Sequence, residues 1–191
     1  IQEAQSYIDT IKPFVLQIHS DDHYDLLLEI DLNKLFIASD GRDFNRIVRL
    51  RKTLTQRIQQ TLHQRGRIHR CLGHSFIQRG DSESAIKNLQ IALTAFEAEE
   101  DYTQCISVCT SLGVGHFRNK DYRMARKYYV QALKLADEHR LQYHVLHVFM
   151  NLALIYIFQG KLRHTFELFD MAEKSYIKSG LDGPRALLYA N

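Results

Sequence analysis

The sequence predicts an all-α protein, a right-handed solenoid of antiparallel helical hairpins, and three observations predict it. The first is self-similarity at a step of 40 residues. Leu72-Gly73 returns as Leu112-Gly113 and Leu152-Ala153, Ala85 as Ala125 and Thr165, Leu89 as Tyr129 and Phe169, and Ala92 as Ala132 and Ala172. A fixed period of this size marks helical units that cannot bury their apolar faces alone and must stack on neighbours. The second is apolar spacing. Phe44, Ile47, Leu50, Leu54 and Ile58 recur at steps of three and four, which places them on one stripe of a helix. The third is punctuation. Gly80-Asp81, Lys120-Asp121 and Gly160-Lys161 recur with the same period, and such pairs end one helix and open the next.

Ten helical segments follow in order. Residues 3–19 form the first, with Pro13 expected to kink or interrupt it, because proline lacks the amide donor and clashes with the preceding turn. Asp21 or Asp22 caps the second, 23–39, which carries Leu27, Ile30, Leu35 and Ile37. Ser39-Asp40-Gly41 reads as a turn before 42–60. The break before 63–79 is weakly marked, since no strong stop signal lies between Thr61 and Gly66. Helices then fall at 82–98, 102–119, 122–138, 142–159 and 162–178, with a turn over Gly180 to Pro184 and the start of another helix at 185–191. Grouped as hairpins, the chain reads as a partial helix (1–20), a degenerate repeat (22–60), three clear repeats (63–99, 102–139, 142–179) and the opening of a further one (182–191).

The recurring small residues give the hairpins a physical logic. Gly73 and Gly113 fall where the two helices of a hairpin approach closely, with Ala85 and Ala125 as the matching small surface. Ala92, Ala132 and Ala172 leave room for the next hairpin, and Phe76, Tyr129, Tyr156 and Phe169 fill the remaining space.

Composition excludes several classes. No apolar run approaches the length of a membrane span, the first residues lack a signal-peptide pattern, and three cysteines in 191 residues do not form a disulfide framework. A cytoplasmic protein is the expectation. Net charge is only +3, but it is uneven. Nine Arg or Lys and one acid, Asp43, fall between Arg42 and Arg70, flanked by acid-leaning stretches at Asp21–Asp31 and Glu97–Asp101. That pattern is either a solvated face or a basic patch for an acidic partner. The chain opens at Ile1 inside an amphipathic helix and stops at Asn191, one period after Asn151. This predicts a piece of a longer protein whose Leu187, Leu188 and Tyr189 are covered by a further helix or by a second copy in a homodimer.

The pattern of Leu-Gly, an aromatic three residues on, a turn residue, then Ala, aromatic and Ala resembles the tetratricopeptide repeat family. One copy shows it as Leu72, Gly73, Phe76, Gly80, Ala85, Leu89 and Ala92. The next has Leu112, Gly113, His116, Lys120, Ala125, Tyr129 and Ala132, and the last Leu152, Ala153, Tyr156, Gly160, Thr165, Phe169 and Ala172. An earlier copy, with Leu32, Asn33 and Phe36, departs from it, having Asn45 or Arg46 where alanine belongs. The 40-residue length resembles the lengthened repeats of bacterial signalling proteins and some cell-polarity adaptors.

No catalytic constellation emerges. Cys105 and Cys109 share a helix face, and His19/His23 and His144/His147 are paired, but none has the further ligands that a zinc site needs. There is no Gly-rich phosphate loop and no Gly-x-Ser-x-Gly elbow. The expectation is a non-enzyme without cofactor or metal. The resemblance instead implies a peptide-binding groove lined by first helices. In that register the groove holds Leu27, Ile30, Lys34 and Ile37; then Arg67, Arg70, His74 and Gln78; then Ser107, Thr110, Val114 and Arg118; and then His147, Met150, Leu154 and Phe158. His74, Val114 and Leu154 stand where a carboxylate clamp for chaperone tails would need asparagine, which disfavours that role.

The leading expectation is therefore a scaffold for protein–protein interaction, binding an acidic peptide with apolar anchors. The resemblance also implies a sensory or regulatory region preceding a diguanylate cyclase or DNA-binding output domain. A third reading, nucleic-acid binding through Arg42–Arg70, has only Phe44 in the patch for base stacking.

Overall fold

A computed structural model describes residues 2–15, 22–40, 43–55, 61–141 and 146–178, and the chain falls into two compact units, Ile1–Glu99 and Glu100–Asn191. Among the described residues the first unit holds α1 (Gln2–Val15), α2 (Asp22–Asp40), α3 (Phe44–Thr55), α4 (Leu62–Arg79) and α5 (Ser82–Ala98). The second holds α6 (Tyr102–Arg118), α7 (Tyr122–Glu138), α8 (Leu146–Phe158) and α9 (Leu162–Lys178). The described residues are helical throughout, without strands. Helices pack in sequential pairs, α2 on α3, α4 on α5, α6 on α7 and α8 on α9. Within each unit the first helices also adjoin, α2 beside α4 and α6 beside α8. The all-α, hairpin-built architecture expected from the sequence is present.

Left-handed turns recur twice as often as the 40-residue punctuation. Residues with positive φ stand at Gly80, Glu100, Lys120, Arg140 and Gly160, one every 20 residues. At four of them the chain closes in the same way. The amide of the left-handed residue donates to the carbonyl three back, and the next amide reaches five back: Gly80 to Ile77 and Asp81 to Phe76, Lys120 to Phe117 and Asp121 to His116. Arg140 with Leu141, and Gly160 with Lys161, repeat it. This closure satisfies carbonyls that a helix end leaves bare. Glycine carries the left-handed turn without strain, whereas Glu100, Lys120 and Arg140 each carry a Cβ there, which costs about 1 kcal/mol.

Helix starts share the half-period. Asp81, Asp101 and Asp121 each accept the backbone amide three residues on, from Ser84, Gln104 and Met124. Thr61 opens α4 with a capping box. Its hydroxyl accepts the Gln64 amide at 3.2 Å, and the Gln64 side chain accepts the Thr61 amide at 3.0 Å. The boundary that looked unmarked is thus an encoded start, Thr-x-x-Gln, of the kind that stabilises a helix by about 1 kcal/mol.

Equivalent residues meet inside successive hairpins. A Cβ on Gly73 would lie 2.5 Å from Leu89 Cγ on α5, and one on Gly113 would run into the Tyr129 ring on α7. Gly73 and Gly113 therefore occupy matching spots between paired helices. Ala85, Ala92, Ala125 and Ala132 are fully buried, as are Leu89 and Tyr129. In the third hairpin Ala153 already carries the methyl group; it is buried, and the facing Phe169 is half-buried. Gly66 adds a close approach that the repeat pattern did not show, since a Cβ there would meet the Phe96 ring at 2.8 Å.

Two expectations need correction. Pro13 lies inside a continuous α1 rather than interrupting it. Ser39 and Asp40 belong to α2, not to a turn. The α2–α3 hairpin departs from the period on its second helix: Asp43 accepts the Arg46 amide at 3.1 Å, doing the work of Asp81 two residues later than the period requires. In consequence Asn45, Arg49 and Lys52, the counterparts of Ala85, Leu89 and Ala92, are exposed, and Ile47 and Leu54 are buried instead. These two fill the core with Leu32, Leu35, Ala38, Ile68, Cys71 and Leu72. His19, Asp21, Gly41, His144, Gly180 to Pro184, and Leu187 to Tyr189 lie outside the described residues.

Candidate functional site

The expected groove residues fall on α2 and α4 in one unit and on α6 and α8 in the other. In the first unit they lie on α2 and α4, where most of the charge is already used. Arg67 Nη1 donates to Glu29 Oε2 at 2.5 Å, and Arg67 Nη2 lies 3.4 Å from Asn33 Oδ1. Lys34 Nζ, its side chain largely covered, lies 3.6 Å from Asp9 Oδ1. The Asp9 carboxyl is held below its usual range chiefly by the Gln5 hydrogen bond, and further by Lys34. Arg70 stacks its guanidinium over the exposed Phe36 ring, 5.8 Å from the centroid. Arg46, within the Arg42–Arg70 run, donates to Gln5 at 2.5 Å. Arg46, Arg67 and Lys34 are therefore tied into an internal network joining α1, α2, α3 and α4.

Two polar atoms on α4 stand apart from that network. Arg70 Nε and Gln78 Oε1 are buried and make no hydrogen bond with a described residue. A buried donor or acceptor left unmatched costs about 1–3 kcal/mol. His74, between them in sequence, is exposed.

In the second unit the face is built by α6 and α8, and Phe117 joins them through an edge-on contact with Phe158, 5.6 Å between centroids. On α6, Thr110 and Val114 are half-buried and Arg118 is exposed. The Thr110 hydroxyl is turned back onto the Ile106 carbonyl at 2.8 Å, and the Ser111 hydroxyl onto the Ser107 carbonyl at 3.0 Å. Both are folded into the helix rather than offered outward.

The α8 helix is the informative element. It is apolar on every side. One face buries Val148, Phe149, Leu152, Ala153 and Ile155. The other leaves Met150 40%, Leu154 44%, Ile157 46% and Phe158 67% exposed, with His147 beside them. A helix that is hydrophobic all round ordinarily sits inside a larger core. Sequence reasoning named Met150, Leu154 and Phe158 but missed Ile157, which its position seven after Met150 would have found.

Behind this face His116 occupies the aromatic slot of the second clear repeat. It stacks on Tyr128, 5.4 Å between centroids, with its Nδ1 3.7 Å from Asp121 Oδ2. Neither ring nitrogen is hydrogen-bonded to a described residue. Burial pushes its pKa below the usual histidine value, against the opposing pull of Asp121. Cys105 and Cys109 are fully buried in α6, as small packing residues are.

A family model for the tetratricopeptide repeat matches residues 107–139. This segment is a tetratricopeptide repeat. The match spans most of α6 and α7, the hairpin in which Gly113 meets Tyr129. No curated protein matches the chain. The repeat is a module of protein–protein interaction generally, and no helix of the described residues is long and apolar enough to cross a membrane.

Proposed function

We propose that this chain is a non-catalytic module that binds a peptide or partner segment on the first-helix faces of its repeats. The observation that carries the reading is the exposed apolar stripe of α8, formed by Met150, Leu154, Ile157 and Phe158. These residues sit at i, i+4, i+7 and i+8, the spacing by which one helical face presents anchors to a ligand. The partner is thus expected to contribute apolar anchors to α8. The charged contribution of Arg67 and Lys34 is small, because Glu29 and Asp9 already neutralise them.

A random peptide library selected on the intact chain tests this. Enriched peptides should carry recurring apolar residues and bind about tenfold more weakly to a Leu154→Asp, Phe158→Asp variant that keeps its helical spectrum. Enriched peptides that bind both proteins equally would refute the assignment to α8.

A further inference from the structure

We infer that the second unit carries another docking groove, on the second-helix side, shaped for an amphipathic helix of a partner protein whose first turn is acidic. Two adjoining hollows share Arg126 and Val130. The first, about 520 Å³, lies among α7, α8 and α9 and has apolar walls of Val130, Leu133, Phe149, Leu152, Tyr156 and Met171. The second, about 480 Å³, continues along α7 and is bordered by Arg123, Arg126, Lys127 and Lys161 with no carboxylate in its lining. No ion pair with a described residue holds any of these four cations. Arg126 instead lies over the Tyr156 ring, 5.9 Å from the centroid, at the junction of the two hollows.

The α8 residues here, Phe149, Leu152 and Tyr156, are different from those of the first-helix face, so this groove goes beyond the function proposed above. Along α7 the sequence runs Arg123, Arg126, Lys127, Val130, Leu133 and Asp137, one helical stripe about 20 Å long. It is cationic at its start, apolar at Val130 and Leu133, and ends beside Lys134 and Asp137. A partner helix lying in it with acidic residues in its first turn would set those acids against the four cations. The same acids also favour that helix's own dipole. Its apolar residues would fall over Val130, Leu133 and Met171. Both hollows are open to solvent, whereas a small-molecule site encloses most of its ligand. That favours the ridge of a macromolecule over a free small molecule.

The chain's three methionines, Met124, Met150 and Met171, supply the readout by methyl-labelled NMR. The probe is a synthetic helical peptide of about four turns, with Asp and Glu in the first turn and Leu or Phe at i, i+4, i+7 and i+11. The expected result is a saturable shift of the Met171 methyl with Met150 unmoved. Affinity should fall about tenfold for Arg126→Glu, Lys127→Glu, and also for a peptide whose acids are replaced by lysines. Val130→Asp, at an exposed position, should abolish the Met171 shift. An unchanged Met171 at saturating peptide would overturn the inference. So would a shift confined to Met150, which would leave only the first-helix face as a docking surface. Equal binding of the acidic and lysine peptides contradicts the charge match, and a Met171 shift produced more readily by decanoate than by the peptide would identify a lipid tail as occupant.

Discussion

The helices α4 and α8 hold equivalent places in the repeat, yet they turn opposite characters outward. Outward from α4 come Arg67, Arg70, His74 and Gln78, with Arg67 tied to Glu29 and Arg70 laid over Phe36. Outward from α8 come Met150, Leu154, Ile157 and Phe158. Their buried faces follow one rule, Leu72 and Gly73 in the first and Leu152 and Ala153 in the second. The period fixes what must be buried for hairpins to close, and it leaves the outward face free to differ. That freedom is where binding specificity resides in a repeat protein.

The sharpest way to break the comparison is to strike the two faces of α8. Ile155→Ala should destabilise the fold by about 2–5 kcal/mol by leaving a cavity. Leu154→Ala, one residue away, should change stability by about 0.5 kcal/mol or less. Urea unfolding reads both; comparable losses would mean that the outward face is itself part of a core. The shared buried rule is tested at Gly113. Its Cβ would strike Tyr129, so Gly113→Ala should cost about 1–3 kcal/mol by overpacking, visible as a lower thermal midpoint.

The turn slot within each hairpin comes next in size. It holds Gly80, Lys120 and Gly160 at successive repeats, all with positive φ. Lys120→Gly should therefore stabilise by about 0.4–1 kcal/mol, the reverse of a typical glycine substitution. The same urea titration decides the sign. On the α4 face, Glu29→Gln removes the partner of Arg67 from a partly exposed pair. It should cost only about 0.2–1 kcal/mol, while strengthening the binding of an acidic peptide to that face in a titration.

The smallest effect belongs to the aromatic slot, filled by Phe76, His116 and Tyr156 in turn. The folded chain lowers the His116 pKa below its ordinary 6.5, so the unfolded chain binds its proton more readily. The associated stability is complete above pH about 6.5 and is lost as pH falls through the lowered folded value. Thermal midpoints across this window should fall less steeply for His116→Phe than for the parent chain.

Much of the fold was legible because glycines and alanines at a fixed step leave a direct trace of helix approach. Gly73, Gly113, Ala85 and Ala125 all sit where that trace put them. The helix breaks near 100 and 140 were legible, but their left-handed turns were not, because Glu100 and Arg140 adopt a glycine's conformation without being glycine. On α3 the strict period sampled the wrong face, because the helix starts two residues later than the period requires, whereas the spacing of Ile47 and Leu54 read the buried stripe. Of the candidate site, the apolar half could be read from Met150, Leu154 and Phe158. The basic half could not, since pairing of Arg67 with Glu29, or of Lys34 with Asp9, joins residues far apart in sequence. The capping box Thr61-x-x-Gln64 was in plain view, though no glycine drew attention to it.

The most direct test of the binding assignment is the Met150 methyl resonance during titration with a peptide selected on the intact chain. Docking on α8 predicts a saturable Met150 shift that Leu154→Asp abolishes, with Met124 unmoved. A peptide that binds to saturation while Met150 stays where it was would contradict it.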